Sequence, residues 1–270
     1  MSSSTGGSGA LSARLAALDS ELDSVPSSQQ LSDDLFGVVD LLDGNSGLRR
    51  AISDPAVNPA ARTRLTHRLL EDRIGPEALR LVDRALEIGW AGPAQMTRGL
   101  EQAGVRSELR TAQGAGAGVD VEDELFRFGQ TVRADPALSL ALSDADQSVT
   151  ARRGLVSGLL EGRCRPESVV LAARAVRATK ASYTDVLDGY VRLSARMRDE
   201  QVAVVTTARG LSAEQRTEIL RQLDRITGRR VDLKEAVDPT VLGGARISFG
   251  DEVIDGTVAR RLDQARRTLG

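Results

Sequence analysis

The sequence predicts a mainly α protein, a duplicated helical bundle followed by a small α+β C-terminal domain. Three observations predict it. Apolar residues recur at helical spacing from Leu11 to Met197. The chain also repeats itself: shifted by 90 positions, residues 31–86 lie over 121–176 without a gap, and about 20 of the 56 pairs are identical. Beyond residue 200 the apolar period changes to that of strands, in 201–208, around 231–233 and in 245–249.

Taken in order, Met1 to Ala10 is Ser/Gly-rich and uncharged, and is expected to be a disordered tail. A first helical copy then fills 11–112. Leu11, Leu15, Leu18 and Leu22 stripe one helix, and Leu31, Leu35, Val38 and Leu42 the next. Gly44-Asn-Ser-Gly47 breaks the second helix. Short helices follow at 48–53 and 59–72. Pro76 suits the first position of a helix carrying Leu79, Val82 and Leu86. A longer helix covers about 93–111. Residues 113–119, with three glycines and no ring, read as a flexible linker. A second copy fills 120–200 and ends in a helix striped by Tyr183, Val186, Tyr190, Leu193 and Met197.

The last domain, 201–270, begins with a β-rich run. Ser212-Ala-Glu-Gln215 follows as a capping box for a helix bearing Ile219, Leu223 and Ile226. Val231 and Leu233 alternate in a second strand, which should run parallel to the first. Gly243 and Gly244 let the backbone bend or approach another chain closely. Ala245, Ile247 and Phe249 then alternate with polar neighbours. Gly250-Asp251 fits a two-residue hairpin with Gly first, Val253 and Ile254 form a short returning strand, and Asp255 can cap a final helix carrying Val258, Leu262, Ala265 and Leu269. Gly243, Gly244, Gly250, Asp255 and Gly256 are therefore the structural motif of this domain.

Composition narrows the functions open to the chain. Of its 270 residues 41% are hydrophobic but only 3% aromatic, which suits bundles built from Leu, Val and Ala. The net charge of −2 marks no polyanion binder, and no basic patch interleaved with aromatics points to nucleic acid. A single cysteine, Cys164, allows no internal disulfide. No window approaches the ~20 apolar residues of a membrane span.

Catalytic chemistry is expected to be absent, as are cofactors and metals. The only histidine, His67, has Ser157 as its repeat partner, so the fold does not require an imidazole there. Cys164 overlies Ile74, as a small buried apolar site would. The acidic pairs Asp33/Asp34 and Asp123/Glu124 stand near helix starts, where negative charge is favourable. Asp144 and Asp146 read as turn residues. The Gly-x-Gly-x-Gly of the linker follows no strand and has no Lys-Ser/Thr after it, so it is no phosphate loop. Trp90 has no counterpart in the second copy, where Lys180 stands; it is expected to pack between helices, with contact to a partner as the alternative.

The stretch from Asp238 to Leu262, with its Gly243-Gly244 pair, apolar strand, Gly250-Asp251, Val253-Ile-Asp-Gly-Thr-Val258 and Arg-Arg-Leu helix, resembles the C-terminal signature of the delta subunit of bacterial F-type ATP synthases. The mitochondrial counterpart of that family is the oligomycin-sensitivity-conferring protein. Thr257 stands where the family usually has Ser, and Arg209-Gly-Leu211 where it usually has a Pro-Leu pair. The resemblance covers about 120–270; the extra copy in front resembles the long form found in high-GC Gram-positive bacteria. It implies a non-catalytic stator subunit of the peripheral stalk, on the cytoplasmic face of the plasma membrane. It also implies partners: alpha subunits, through their N-terminal helices, on the helical part, and b subunits on the C-terminal domain. The alternative reading of the residues is a free-standing helical adaptor outside any ATP synthase.

Overall fold

The computed structural model describes residues 5–54, 56–144, 146–177, 181–198, 200–227, 231–241, 245–249 and 252–255. The chain forms two compact units that divide between Gly118 and Val119.

Unit 1 is a bundle of six helices: α1 Thr5–Asp23, α2 Gln29–Gly44, α3 Ser46–Ser53, α4 Pro59–Leu70, α5 Pro76–Glu87 and α6 Pro93–Gly114. Each start has a local cause. Ser28 accepts from the Leu31 amide and Asn58 from the Ala60 amide, while Pro59, Pro76 and Pro93 sit where a missing N–H costs nothing. The apolar stripes converge on one core that includes Leu18, Leu22, Leu35, Leu42, Leu81 and Leu100, none more than 2% exposed. Trp90 packs against this core, and its indole N–H donates to the Ala85 carbonyl at 2.7 Å. The expected tail is shorter than read, because α1 begins at Thr5. Once Leu18 and Leu22 anchor the helix, extending it through Ser and Gly costs far less than nucleating it.

Between the helices of the two copies only 115–117 are non-helical, so most of the expected 113–119 linker is helix. Gly116, at φ +71°, ends α6 in a tight turn that only glycine adopts without strain, and Ala117 behind it is fully buried.

Unit 2 opens with α7 Gly118–Ala134, which starts at the boundary, then α8 Pro136–Ser143, α9 Val149–Leu160, α10 Pro166–Ala175 and α11 Tyr183–Met197. The helices α8, α9, α10 and α11 begin 90 residues after α3, α4, α5 and α6, so the sequence repeat is a repeat of fold. A four-stranded sheet follows: β1 Gln201–Thr207, β2 Val231–Val237, β3 Ala245–Phe249 and β4 Glu252–Asp255, in the order β2-β1-β3-β4. The strands β1 and β2 are parallel and joined by α12 (Ala213–Thr227), whose Ser212–Gln215 capping box is formed in both directions. The remaining pairs are antiparallel, and Phe249 pairs with Glu252 across the two-residue connection expected of the hairpin.

Strand alternation splits the sheet into two faces. Ala203, Val205, Val231, Leu233, Ala245 and Ile247 form one core with Ile219, Leu220 and Leu223 of α12. The opposite face carries Val202, Val204, Asp232 and Lys234, and it meets the helical part of unit 2.

Candidate functional site

The unusual chemistry of the molecule lies where that second face meets α7 and the end of α11. Lys234 of β2 is only 3% exposed and is surrounded by carboxylates. Its ammonium stands 3.0 Å from Glu122 of α7, 3.0 Å from Asp232 two residues back on β2, and in contact with Asp123. Arg198, the residue that caps α11, reaches Glu122 at 2.7 Å, Glu200 at 3.0 Å and Asp232 at 3.4 Å. The Glu122 side chain is fully buried. One carboxylate on the bundle and one on the sheet are thus shared by two cations, one from each side of the joint.

The electrostatics follow from burial. Desolvation holds the Glu122 carboxyl above its ordinary range, and the neighbouring Asp232 carboxylate adds to this against the pull of Arg198 and Lys234. Burial pushes Asp232 the same way, but Glu122, Lys234 and Arg198 outweigh it, and Asp232 lies below its ordinary range. Burial alone would drive Lys234 down; Glu122, Asp123 and Asp232 carry it above its ordinary value instead. A buried cluster of this kind adds little stability compared with an apolar contact, whereas removing one member leaves an unpaired buried charge at a cost of about 3–5 kcal/mol.

Beside the cluster, a cleft of about 400 Å³ runs between α7, α11 and the same sheet face, lined by residues such as Phe126, Val191, Val202 and Val204. Arg133 and Asp188 pair across its helical wall.

The first copy carries a different pair at the matching positions. Glu122 and Arg198 occupy the repeat positions of Ser32 and Glu108. In unit 1 the Ser32 hydroxyl donates to the Glu108 carboxylate in a buried hydrogen bond. No sheet follows α6. In the second copy α11 leads directly into β1.

The other singled-out residues take structural places. Asp34 accepts from the Gly75 amide at 2.7 Å, and Glu124 from the Arg165 amide at 2.9 Å and the Ser168 hydroxyl at 2.5 Å. These acids cap α5 and α10, not their own helices, because they sit a full turn past the starts of α2 and α7. Asp54 and Asp144 close turns on the amides of Ala56 and Asp146. His67 bonds Asp83 at 2.9 Å on a half-exposed helix face. Cys164 is half-buried rather than buried, and burial followed by the Glu124 charge raises its thiol pKa, the reverse of what a reactive thiolate needs. Gly243, Gly244, Gly250 and Gly256 lie outside the described residues, as does the final helix expected after them. Asp255 closes β4, paired with Arg246. No group of three or more metal-ligating side chains occurs among the described residues.

Sequence reading missed the cluster itself, although two signals were present. Asp232 and Lys234 fall on one face of a strand whose other face carries Val231 and Leu233, and the repeat exchanges Ser32 and Glu108 for Glu122 and Arg198.

Fold and joint together define a class: a coupling protein, two copies of one helical bundle with a small sheet domain braced against the second. The comparisons carry this further. Residues 107–269 match the family model described as ATP synthase delta (OSCP) subunit. The delta subunit of Cutibacterium acnes is 46% identical over 89% of this chain and 92% of its own length. Those of Parafrankia sp. and Salinispora arenicola are each 41% identical, over 90% and 88% of this chain and 88% and 87% of theirs. The chain belongs to the ATP synthase delta (OSCP) family. It is therefore a non-catalytic stator subunit of the peripheral stalk of F-type ATP synthase, linking the catalytic head to the b subunits, and the reading as a free-standing adaptor falls away. No helix among the described residues is long and apolar enough to cross a membrane.

Proposed function

We propose that the Glu122–Arg198–Lys234–Asp232 cluster is the rigid joint through which this stator subunit passes load between the head and the b subunits. In this reading the helical part receives the N-terminal helices of the alpha subunits and the C-terminal domain meets the ends of the b subunits. Torque from the rotor then crosses the boundary between bundle and sheet. The observation that carries the proposal is the exchange between copies: a buried ion cluster contributed by both elements stands where a sheet is attached, and a Ser32–Glu108 hydrogen bond occupies the matching positions where none is. In this proposal Gly243, Gly244, Gly250, Asp255 and Gly256 remain the structural motif of the C-terminal domain.

The partner assignment is tested with the full chain reconstituted with alpha and b subunits, carrying a photo-cross-linker at one of two exposed apolar positions. Leu140 on α8 is 72% exposed and Val237 on β2 is 58% exposed. Leu140 is expected to couple to alpha and Val237 to b. The reverse pattern, or both positions coupling to one subunit, refutes the assignment.

A further inference from the structure

The ion cluster gathers more acids than bases. Glu122 and Asp123 of α7, Glu200 just past α11 and Asp232 of β2 face Arg198 at the end of α11 and Lys234 of β2. Ser194 of α11 adds a hydroxyl 3.2 Å from the Arg198 guanidinium, and β1 brings only Val202 and Val204 to this face. Four carboxyl groups thus meet two cations. Asp123 is 42% exposed, so water screens its charge. Glu122 is fully buried and Asp232 largely so, and both lean on the same two cations.

One atom in this arrangement is left unsatisfied. Oε1 of Glu122 is buried and receives no hydrogen bond, although the Lys234 ammonium stands 3.0 Å away. The Glu122 and Asp232 carboxyls lie within hydrogen-bond reach of each other. Two ionised carboxylates cannot bond, because neither carries a hydrogen. A single proton between them supplies the donor and removes the repulsion. The first copy has the same pattern in another chemistry. Glu122 stands at the repeat position of Ser32, and Ser32 is the residue that donates to the buried Glu108 carboxylate.

We propose that Glu122 and Asp232 share one proton, Glu122 donating and Asp232 accepting, and that this proton sets how firmly the bundle and the sheet of unit 2 are held together. The proton is taken from solvent and returned to it, and no other bond is made or broken. With it, the surplus of negative charge in the cluster falls by one. Without it, two carboxylates repel across the joint. The opposite displacements of the two groups, Glu122 above its ordinary range and Asp232 below, agree with one proton held by a pair. The cost of the Glu122 charge is absent below its ordinary 4.5 and fully present above its folded-state value, so the joint loosens as pH rises through that window. The Asp232 contribution is present above its ordinary 3.8 and is lost as pH falls through its lower folded-state value. The meaning for load rests on the joint proposed above, whereas the proton itself does not.

The test follows the side-chain carboxyl carbons of the full chain by nuclear magnetic resonance through a pH titration, each assigned through its own backbone amide. Glu122 is expected to titrate above 4.5, the Asp232 carbon to respond in the same step, and Asp232 to stay ionised below pH 3.8. A Glu122 step at or below 4.5, or an Asp232 carbon that ignores it, overturns the shared proton. Denaturant unfolding of unit 2, followed by circular dichroism, tests the consequence against Glu122→Gln, whose neutral amide keeps a donor. The unfolding constant of the parent relative to that variant should rise about tenfold for each pH unit between 4.5 and the Glu122 step. A constant ratio overturns the regulation. If Lys234→Met leaves the melting of unit 2 unmoved, the joint falls and the regulation with it, and the shared proton is decided by the titration alone.

Discussion

Replacing Lys234 by Met tests the joint most directly. Methionine keeps the unbranched stem and removes the charge. At 3.0 Å and an effective dielectric of about 20, each of the ammonium's contacts with Glu122 and Asp232 amounts to roughly 5 kcal/mol of attraction before desolvation. Deleting the ammonium also removes its own desolvation penalty, and Arg198 remains beside both carboxylates. Breaking one member of a buried ion cluster typically costs 3–5 kcal/mol, and the low end, about 3 kcal/mol, is expected here. For a unit of this size that lowers the melting temperature by roughly 6–12 °C. The chain's single tryptophan, Trp90, packs in the core of unit 1, so its fluorescence follows that unit alone while circular dichroism follows both. The dichroism transition should move down and the Trp90 transition should stay. Adding Glu122→Gln to the variant should recover part of the loss, because the stranded carboxylate is what costs most. A melt within about 2 °C of the parent, or an equal shift of the Trp90 transition, would refute the reasoning.

Other perturbations separate the remaining arguments. Gly99→Ala forces a Cβ into the Trp90 ring and should cost about 1–3 kcal/mol by overpacking, while Gly189→Ala, which meets open space, should stabilise by up to about 1 kcal/mol through helix propensity; equal effects in paired denaturant melts would contradict the packing difference between the copies. Asp34→Ala and Glu124→Ala should each cost about 1–2 kcal/mol by uncapping α5 and α10, whereas Asp33→Ala, on an exposed carboxylate, should stay within about 0.5 kcal/mol; a large loss at Asp33 would show that the wrong acid of the pair had been chosen. In alkali, the Lys234 pKa is raised above its ordinary 10.5, so its contribution is fully present below pH 10.5 and is lost as pH rises through the folded-state value; Lys234→Met should show a shallower alkaline decline, and parallel curves would argue against the cluster. Tyr183 donates to the Ala172 carbonyl at 2.9 Å and burial holds its phenol well above the ordinary 10.0, so the unfolded chain ionises first and stability falls above pH 10; ultraviolet titration should show one of the two tyrosines ionising only with unfolding, and early ionisation of both would refute this.

Local rules fixed most of the architecture. The leucine stripes gave the helices. Ser212 marked the start of α12, and Pro76 and Pro166 open a matched pair of helices at the expected shift. Duplication was legible because it is a property of the residues in order. The period change after residue 200 gave β1, β2 and β3, and the signature from Asp238 onward pointed to the family. All of these depend on neighbours within a few residues, or on direct comparison of one stretch with another.

Tertiary structure decided what distant residues do to one another. Asp34 and Glu124 looked like caps of their own helices, but the fold brings the start of another helix, 41 residues on, to each of them. The glycines before residue 119 looked like a flexible linker, yet a buried alanine and one left-handed glycine make a tight turn there. Glu122, Arg198, Asp232 and Lys234 each read as an ordinary charged residue. Only the packing of β2 against α7 and the end of α11 removes them from water together, and charge gains its structural force from that shared desolvation, which no single position in the sequence displays.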